Sequence, residues 1–118
     1  MQLSIIIPVF NEKESILVLA NEIYSVLSNC DYKYEIIFVD DGSSDGSWEE
    51  ITQLISNQKN DSSDLVSVRA IKIKKNMGKS TALDLGFINA SGSVVITMDA
   101  DLQDDPNEIP ELYNMILH

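Results

Sequence analysis

Tyr34-Glu35-Ile36-Ile37-Phe38-Val39-Asp40-Asp41-Gly42-Ser43-Ser44-Asp45-Gly46 decides how this chain is read. Tyr34 to Val39 is an apolar, β-branched run of strand length, and Asp40-Asp41-Gly42 stops it. The Gly- and Ser-rich segment that follows turns the chain into a helix outlined by Trp48, Ile51, Leu54 and Ile55. The same strand-turn-helix pattern recurs on both sides. Upstream, Leu3 to Val9 reads as a buried strand. Asn11 then offers a helix cap with Glu14 in capping-box position, and Ile16, Leu19, Ala20, Ile23, Val26 and Leu27 form one apolar stripe. Downstream, Val66 to Ile73 reads as a third strand and Gly78 to Ala90 as a third helix, with Ala82, Leu83, Gly86, Phe87 and Ala90 on one face. Val94 to Thr97 reads as a fourth strand and Asn107 to Leu117 as a fourth helix. The polar stretch Asn57 to Asp64 reads as a flexible loop. This alternation predicts an α/β, Rossmann-like, mostly parallel sheet with helices on both faces.

In such sheets ligands bind beyond the carboxyl ends of the strands. Three polar clusters fall there: Pro8 to Glu12, Asp40 to Gly46 and Asp99 to Gln103. Asp99 and Asp101 follow the fourth strand, and alternate side chains of extended backbone share a direction. Two converging carboxylates make a hard-oxygen site for Mg²⁺ or Mn²⁺, a shell usually completed by waters and substrate phosphates. Gln103 could add an amide oxygen. The same run also reads as a solvated acidic turn, with Asp105 capping a helix that has Pro106 at its first position. Both readings hold together, because capping uses Asp105 alone.

The other clusters also admit two readings. Asp40 and Asp41 can accept hydrogen bonds from a base or ribose, or they belong to a strand-to-helix turn capped by Ser and Asp. Gly42-Ser43-Ser44-Asp45-Gly46 matches the G-x-S-x-G nucleophile elbow, which needs a histidine base. The single histidine is His118, so a serine hydrolase is not expected. Gly78-Lys79-Ser80-Thr81 mimics the end of a P-loop, but the glycine required five residues earlier is Ile73. Lys79 reads as a solvated lysine or a phosphate contact, and Asn76-x-Gly78 as a shaper of the corner.

With 118 residues the chain is one domain's worth. Its net charge is −11, which opposes nucleic acid or anionic lipid as a partner, since both require a cationic face. An anionic substrate would need a cation to mediate its binding. One cysteine, Cys30, precludes an internal disulfide and suits a reducing compartment. No apolar stretch reaches the roughly 20 residues of a membrane span, and the start lacks the marks of a signal peptide. A cytosolic segment is expected.

Ser4-Ile5-Ile6-Ile7-Pro8-Val9-Phe10-Asn11-Glu12, Val39 to Gly46, Asn76-Met77-Gly78-Lys79 and Met98 to Pro106 together resemble the family 2 glycosyltransferases, inverting enzymes with the GT-A fold. Asp99-Ala100-Asp101-Leu102-Gln103-Asp104-Asp105-Pro106 is similar to the polyisoprenyl-phosphate glycosyltransferases in particular, the group of dolichol-phosphate mannosyltransferase and bactoprenol glucosyltransferase. The resemblance implies that Pro8, Phe10 and Glu12 frame a nucleotide base, and that Asp40 and Asp41 contact the base or ribose. Asp99, Asp101 and Gln103 would hold the divalent ion against the diphosphate. The implied donor is a nucleotide sugar, with UDP-sugar ahead of GDP-mannose, and the implied acceptor a polyisoprenyl phosphate or glycan. The implied reaction is attack of an acceptor oxygen on the anomeric carbon, with inversion and loss of the nucleoside diphosphate.

Such enzymes need roughly another hundred residues for the acceptor half, judged by domain size. Residues 1–118 are therefore expected to form the donor-binding part, with little or no turnover alone and with catalytic residues beyond His118. The full protein would lie at the cytoplasmic face of a membrane if it carries membrane helices. The alternative is a non-catalytic nucleotide-sugar-binding module. A truncated sheet could also expose an apolar edge and self-associate.

Overall fold

The computed structural model describes residues 1–59 and 65–117. Among them four strands form one wholly parallel sheet in the order β3-β2-β1-β4: β1 Leu3–Val9, β2 Tyr34–Asp41, β3 Val66–Ile73 and β4 Val94–Thr97. The connecting helices are α1 Lys13–Val26, α2 Ser47–Lys59 and α3 Lys79–Asn89. A 3-10 turn, Pro106–Glu108, leads into α4 Ile109–Leu117. The central strands β1 and β2 are continuous apolar runs because a parallel sheet is covered on both faces. On one face Ile5, Ile7, Ile36 and Phe38 pack with Ile16, Leu19 and Ile23 of α1, Ile51 of α2, and Ile109 and Tyr113 of α4. On the other, Ile6, Ile37 and Val39 meet Ala82 of α3. Gly86 lets α3 lie against β1, since a Cβ there would collide with the Ile6 side chain.

Four expectations are corrected. β2 does not stop at Asp40 but runs through Asp41, because Asp40 and Asp41 pair in register with Lys72 and Ile73 of β3; main-chain pairing is indifferent to the polarity of the side chain. Asn57, expected in a loop, belongs to the last turns of α2, and residues 60–64 of that expected loop lie outside the described residues. Phe87 is not on the packed face of α3 but 49% exposed. Asn11 does not cap α1: it has φ 53°, and its side chain accepts a hydrogen bond from the Ser44 N–H instead. Asp105 behaves as expected, its carboxylate accepting the Asn107 N–H at the head of the 3-10 turn.

A polar network closes the amino-terminal edge of the sheet. Glu35 is 1% exposed. Its Oε2 accepts hydrogen bonds from the hydroxyls of Ser4 (2.5 Å) and Ser91 (2.8 Å) and from the Ser91 N–H (2.8 Å), while Arg69 binds Oε1 through Nε and an Nη at 3.2 and 2.9 Å. Burial pushes the Glu35 carboxyl upward, but the donors from Ser4, Ser91 and Arg69 outweigh it and hold the carboxyl below the usual range. The network therefore stabilises the fold above the unfolded-state pKa of about 4.3, and that contribution is lost as pH falls through the lower folded value. Urea titrations of wild type should show stability declining on acidification from about pH 5. Glu35→Gln should cost about 1–2 kcal/mol at pH 7 through weakened hydrogen bonds from Ser4, Ser91 and the half-exposed Arg69, and should flatten that acid dependence.

Candidate functional site

At the carboxyl edge of the sheet, loops after β1, β2, β3 and β4 surround a cleft of about 320 Å³. Pro8, Phe10, Glu12, Asp41, Asn76, Gly78, Lys79, Ala82, Asp99 and Asp101 are among its lining residues. Of the residues singled out from sequence, the fold thus brings Pro8, Phe10, Glu12, Asp41, Asp99 and Asp101 together. Asp40 and Gln103 do not line the cleft.

The acidic turn after β2 is a construction element as much as a site. Asp41 Oδ1 accepts the Met77 N–H at 2.8 Å, and Oδ2 accepts the Gly78 N–H at 3.0 Å and the Asn76 side-chain amide at 3.2 Å. One carboxylate thus fixes the corner between β3 and α3, which is why Asn76 and Gly78 reach the cleft. Gly42 follows with φ +76°, and a Cβ there would lie 2.5 Å from the Asn76 backbone nitrogen. Asp40 is wholly buried. Its Oδ1 accepts the Ser43 N–H at 3.3 Å, whereas Oδ2 has no hydrogen-bond partner among the described residues. A buried carboxylate oxygen without a donor is costly, and with Asp40 wholly buried behind the cleft lining it is not open to a ligand in this conformation.

The loops after β1 and β2 are stitched to each other. The Asn11 N–H donates to Ser43 Oγ (2.9 Å), the Glu12 N–H to Ser47 Oγ (3.0 Å) and the Ser44 N–H to Asn11 Oδ1 (2.9 Å). Asp45 accepts the first N–H of α1 from Lys13 at 3.2 Å, and the first N–H of α2 from Ser47 at 3.0 Å. Despite some burial, the Ser47 hydroxyl and these N–H groups hold the Asp45 carboxyl below its ordinary range. The elbow-like Gly42 to Gly46 segment is thereby a cross-brace. It sets Phe10, 47% exposed, at the cleft.

After β4 the chain turns through Asp99 to Gln103. The Asp99 N–H donates to Asp104 Oδ2 at 2.8 Å, and the Gln103 N–H to Asp101 Oδ1 at 3.2 Å. Leu102 accommodates the turn with φ 66°. Asp99 Oδ1 holds the Lys79 ammonium at 2.5 Å, and this hydrogen bond, with Asp101 and Asp104 nearby, keeps the Lys79 ammonium above its usual range against a small effect of burial. Lys79 is thus an exposed lysine of the first helical turn, as one of its two readings had it, and it is paired with Asp99. Its pairing was not visible in sequence, because 20 residues separate the partners. Among the described residues no group of three or more His, Cys, Asp or Glu is arranged to hold a metal ion. Two hard carboxylates, one already carrying a cation, do fit an ion that takes the rest of its shell from water and phosphate.

Residues 4–118 match the description of Glycosyl transferase family 2, and the chain belongs to that family. It is similar to the undecaprenyl-phosphate 4-deoxy-4-formamido-L-arabinose transferase of Pectobacterium carotovorum, with 42% identity over 92% of this chain and 32% of the relative. The Yersinia pestis protein of the same name is 41% identical over 97% of this chain and 33% of its own length. The chain therefore spans about a third of the curated relatives it matches. Solved structures share the fold: a Pyrobaculum calidifontis mannosyltransferase in complex with GDP-mannose and Mn²⁺ (TM-score 0.76, 24% identity, 98% of this chain and 31% of that one), and the Mycobacterium tuberculosis glucosyl-3-phosphoglycerate synthase with UDP (TM-score 0.72, 23% identity, 98% and 40%). Among the described residues no helix is long and apolar enough to cross a membrane.

Because Asp41 serves the corner, Asp41→Ala should act on stability. It removes the acceptor of two part-buried N–H groups and a side-chain amide and should cost about 1–2 kcal/mol in chemical denaturation. Gly42→Ala should cost a similar amount through its positive φ and the collision with residue 76.

Proposed function

We propose that residues 1–118 form the donor-binding part of an inverting glycosyltransferase that transfers sugar from a nucleoside-diphosphate sugar to a polyisoprenyl phosphate. The observation that carries this reading is the convergence of Asp99 and Asp101 with Pro8, Phe10 and Glu12 around one cleft at the carboxyl edge of the sheet. A UDP-sugar is favoured as donor. The undecaprenyl-phosphate relatives supply the lipid-phosphate acceptor class, and the acceptor side is assigned to the part of those longer relatives that this chain does not match.

In this reading the Phe10 ring and Pro8 offer an apolar wall on which a base stacks, as aromatic side chains do for nucleobases. Glu12 accepts hydrogen bonds from the same end of the nucleotide. Asp40, wholly buried and outside the lining of the cleft, acts on that end only by holding the Ser43 N–H. Asp41 acts at that end by holding Asn76 and Gly78 in place. Asp99 and Asp101 would hold Mg²⁺ or Mn²⁺, with Gln103 outside the cleft and acting through its N–H on Asp101. When bound, that ion supplies charge neutralisation for the departing diphosphate. The acceptor oxygen attacks the anomeric carbon from the side opposite the diphosphate, so configuration inverts.

Calorimetric titration of UDP into the chain tests this. Binding should require Mn²⁺ and weaken at least about tenfold in Asp101→Ala, a variant of an exposed residue that should melt as wild type does. Binding indifferent to the metal and to Asp101, or none by a cooperatively melting chain, would contradict the reading.

A further inference from the structure

The cleft is poor in positive charge for a site that is to hold a diphosphate. Glu12, Asp41, Asp99 and Asp101 line it, and among its described lining residues Lys79 is the one cation. The chain as a whole carries −11. One divalent ion shared by two aspartates is left with little charge for the phosphates. Lys79 Nζ meanwhile sits 2.5 Å from Asp99 Oδ1, on a carboxylate that the ion also requires. Two cations thus have one anchor.

The geometry lets Lys79 leave that anchor without disturbing the fold. Its backbone is fixed, since Lys79 opens α3 directly after Gly78, whose N–H is held by Asp41. Its side chain is 60% exposed and that of Asp99 42%, so the pair is solvent-screened and readily broken. A lysine on a rigid base at the rim of the cleft can turn from one oxygen to another within the length of its stem.

We propose that Lys79 is a diphosphate-binding residue that exchanges partners: Asp99 holds it in the free site, and the phosphate oxygens of the donor take it when a divalent cation occupies Asp99. The inference rests on the donor-site reading above. It makes Lys79 oppose metal binding in the absence of nucleotide and support it when a diphosphate is present. Metal and nucleotide diphosphate then bind with positive coupling, which linkage requires to be reciprocal. A nucleoside without phosphates gains nothing from Lys79.

The test titrates wild type, Lys79→Met and Lys79→Arg with Mn²⁺ alone, with UDP in saturating Mn²⁺, and with uridine in saturating Mn²⁺. Lys79→Met should bind Mn²⁺ alone about threefold more tightly, having lost the competing cation. It should bind UDP with Mn²⁺ about tenfold more weakly, the loss of one charge-assisted hydrogen bond, and uridine as wild type does. Lys79→Arg should retain UDP binding. Unchanged UDP affinity in Lys79→Met, or an equal loss for uridine, would overturn the inference while leaving the donor-site reading intact. Failure of wild type to bind UDP with Mn²⁺ would overturn the donor-site reading itself.

Discussion

The carboxylate of Asp41 is the interaction on which the site depends. It stands at the end of a central strand and takes two backbone N–H groups and a side-chain amide from residues 76–78. That single acceptor decides where β3 ends and where α3 begins. It thereby sets the position of Lys79 relative to Asp99, although neither residue touches Asp41 directly by hydrogen bond. Gly42 completes the joint, since only a residue without a Cβ can sit against the backbone of Lys75 and Asn76. The cleft is a consequence of the joint: its walls come from four loops, of which Asp41 and Asp45 tie together the first three, and the Lys79–Asp99 pair joins the fourth.

The two edges of the sheet treat polar groups in opposite ways. At the amino-terminal edge Glu35 has donors on both oxygens, from Ser4, Ser91 and Arg69, and the Ser4 hydroxyl in turn accepts the Gly92 N–H. Such a network is complete and has nothing to offer a ligand. At the carboxyl edge the carboxylate of Asp101 lines the cleft, Phe10 is about half exposed, and Asp99 is held by a lysine that is itself exposed. A buried charge network with every partner present is a stabilising device. Groups held in place with unmet hydrogen-bonding capacity are what a binding site requires, and they gather at the edge where parallel sheets bind ligands.

The fold was legible because its strands are long apolar runs and its helices carry regular stripes. β1, β3 and β4 fall where hydrophobic pattern alone puts them. Asp40 and Asp41 were the exception: polarity suggests an end to the strand, but pairing with β3 extends it. Within the site, sequence order placed Asp99 and Asp101 at a strand end, which is a local property. It did not show that Asp41 is consumed by the next corner, that Asn11 bonds across to Ser44 instead of capping its own helix, or that Lys79 meets Asp99. Each of those contacts joins residues 20 or more positions apart, and no periodicity carries such information. Gln103 was assigned a side-chain role by its neighbours, whereas the turn at Leu102 leaves its backbone N–H on Asp101.

The central claim is that a divalent ion and a nucleoside diphosphate share the cleft between Pro8 and Asp101. Paramagnetic broadening reports this most directly. With UDP present, substoichiometric Mn²⁺ added to ¹⁵N-labelled chain should erase the amide signals of Phe10, Gly78, Lys79, Asp99, Ala100 and Asp101 first. Those of Glu35, Arg69 and Ser91 at the far edge should survive. Broadening centred on the exposed acidic turn of α2 at Glu49 and Glu50, or spread evenly over the acidic surface, would contradict the account.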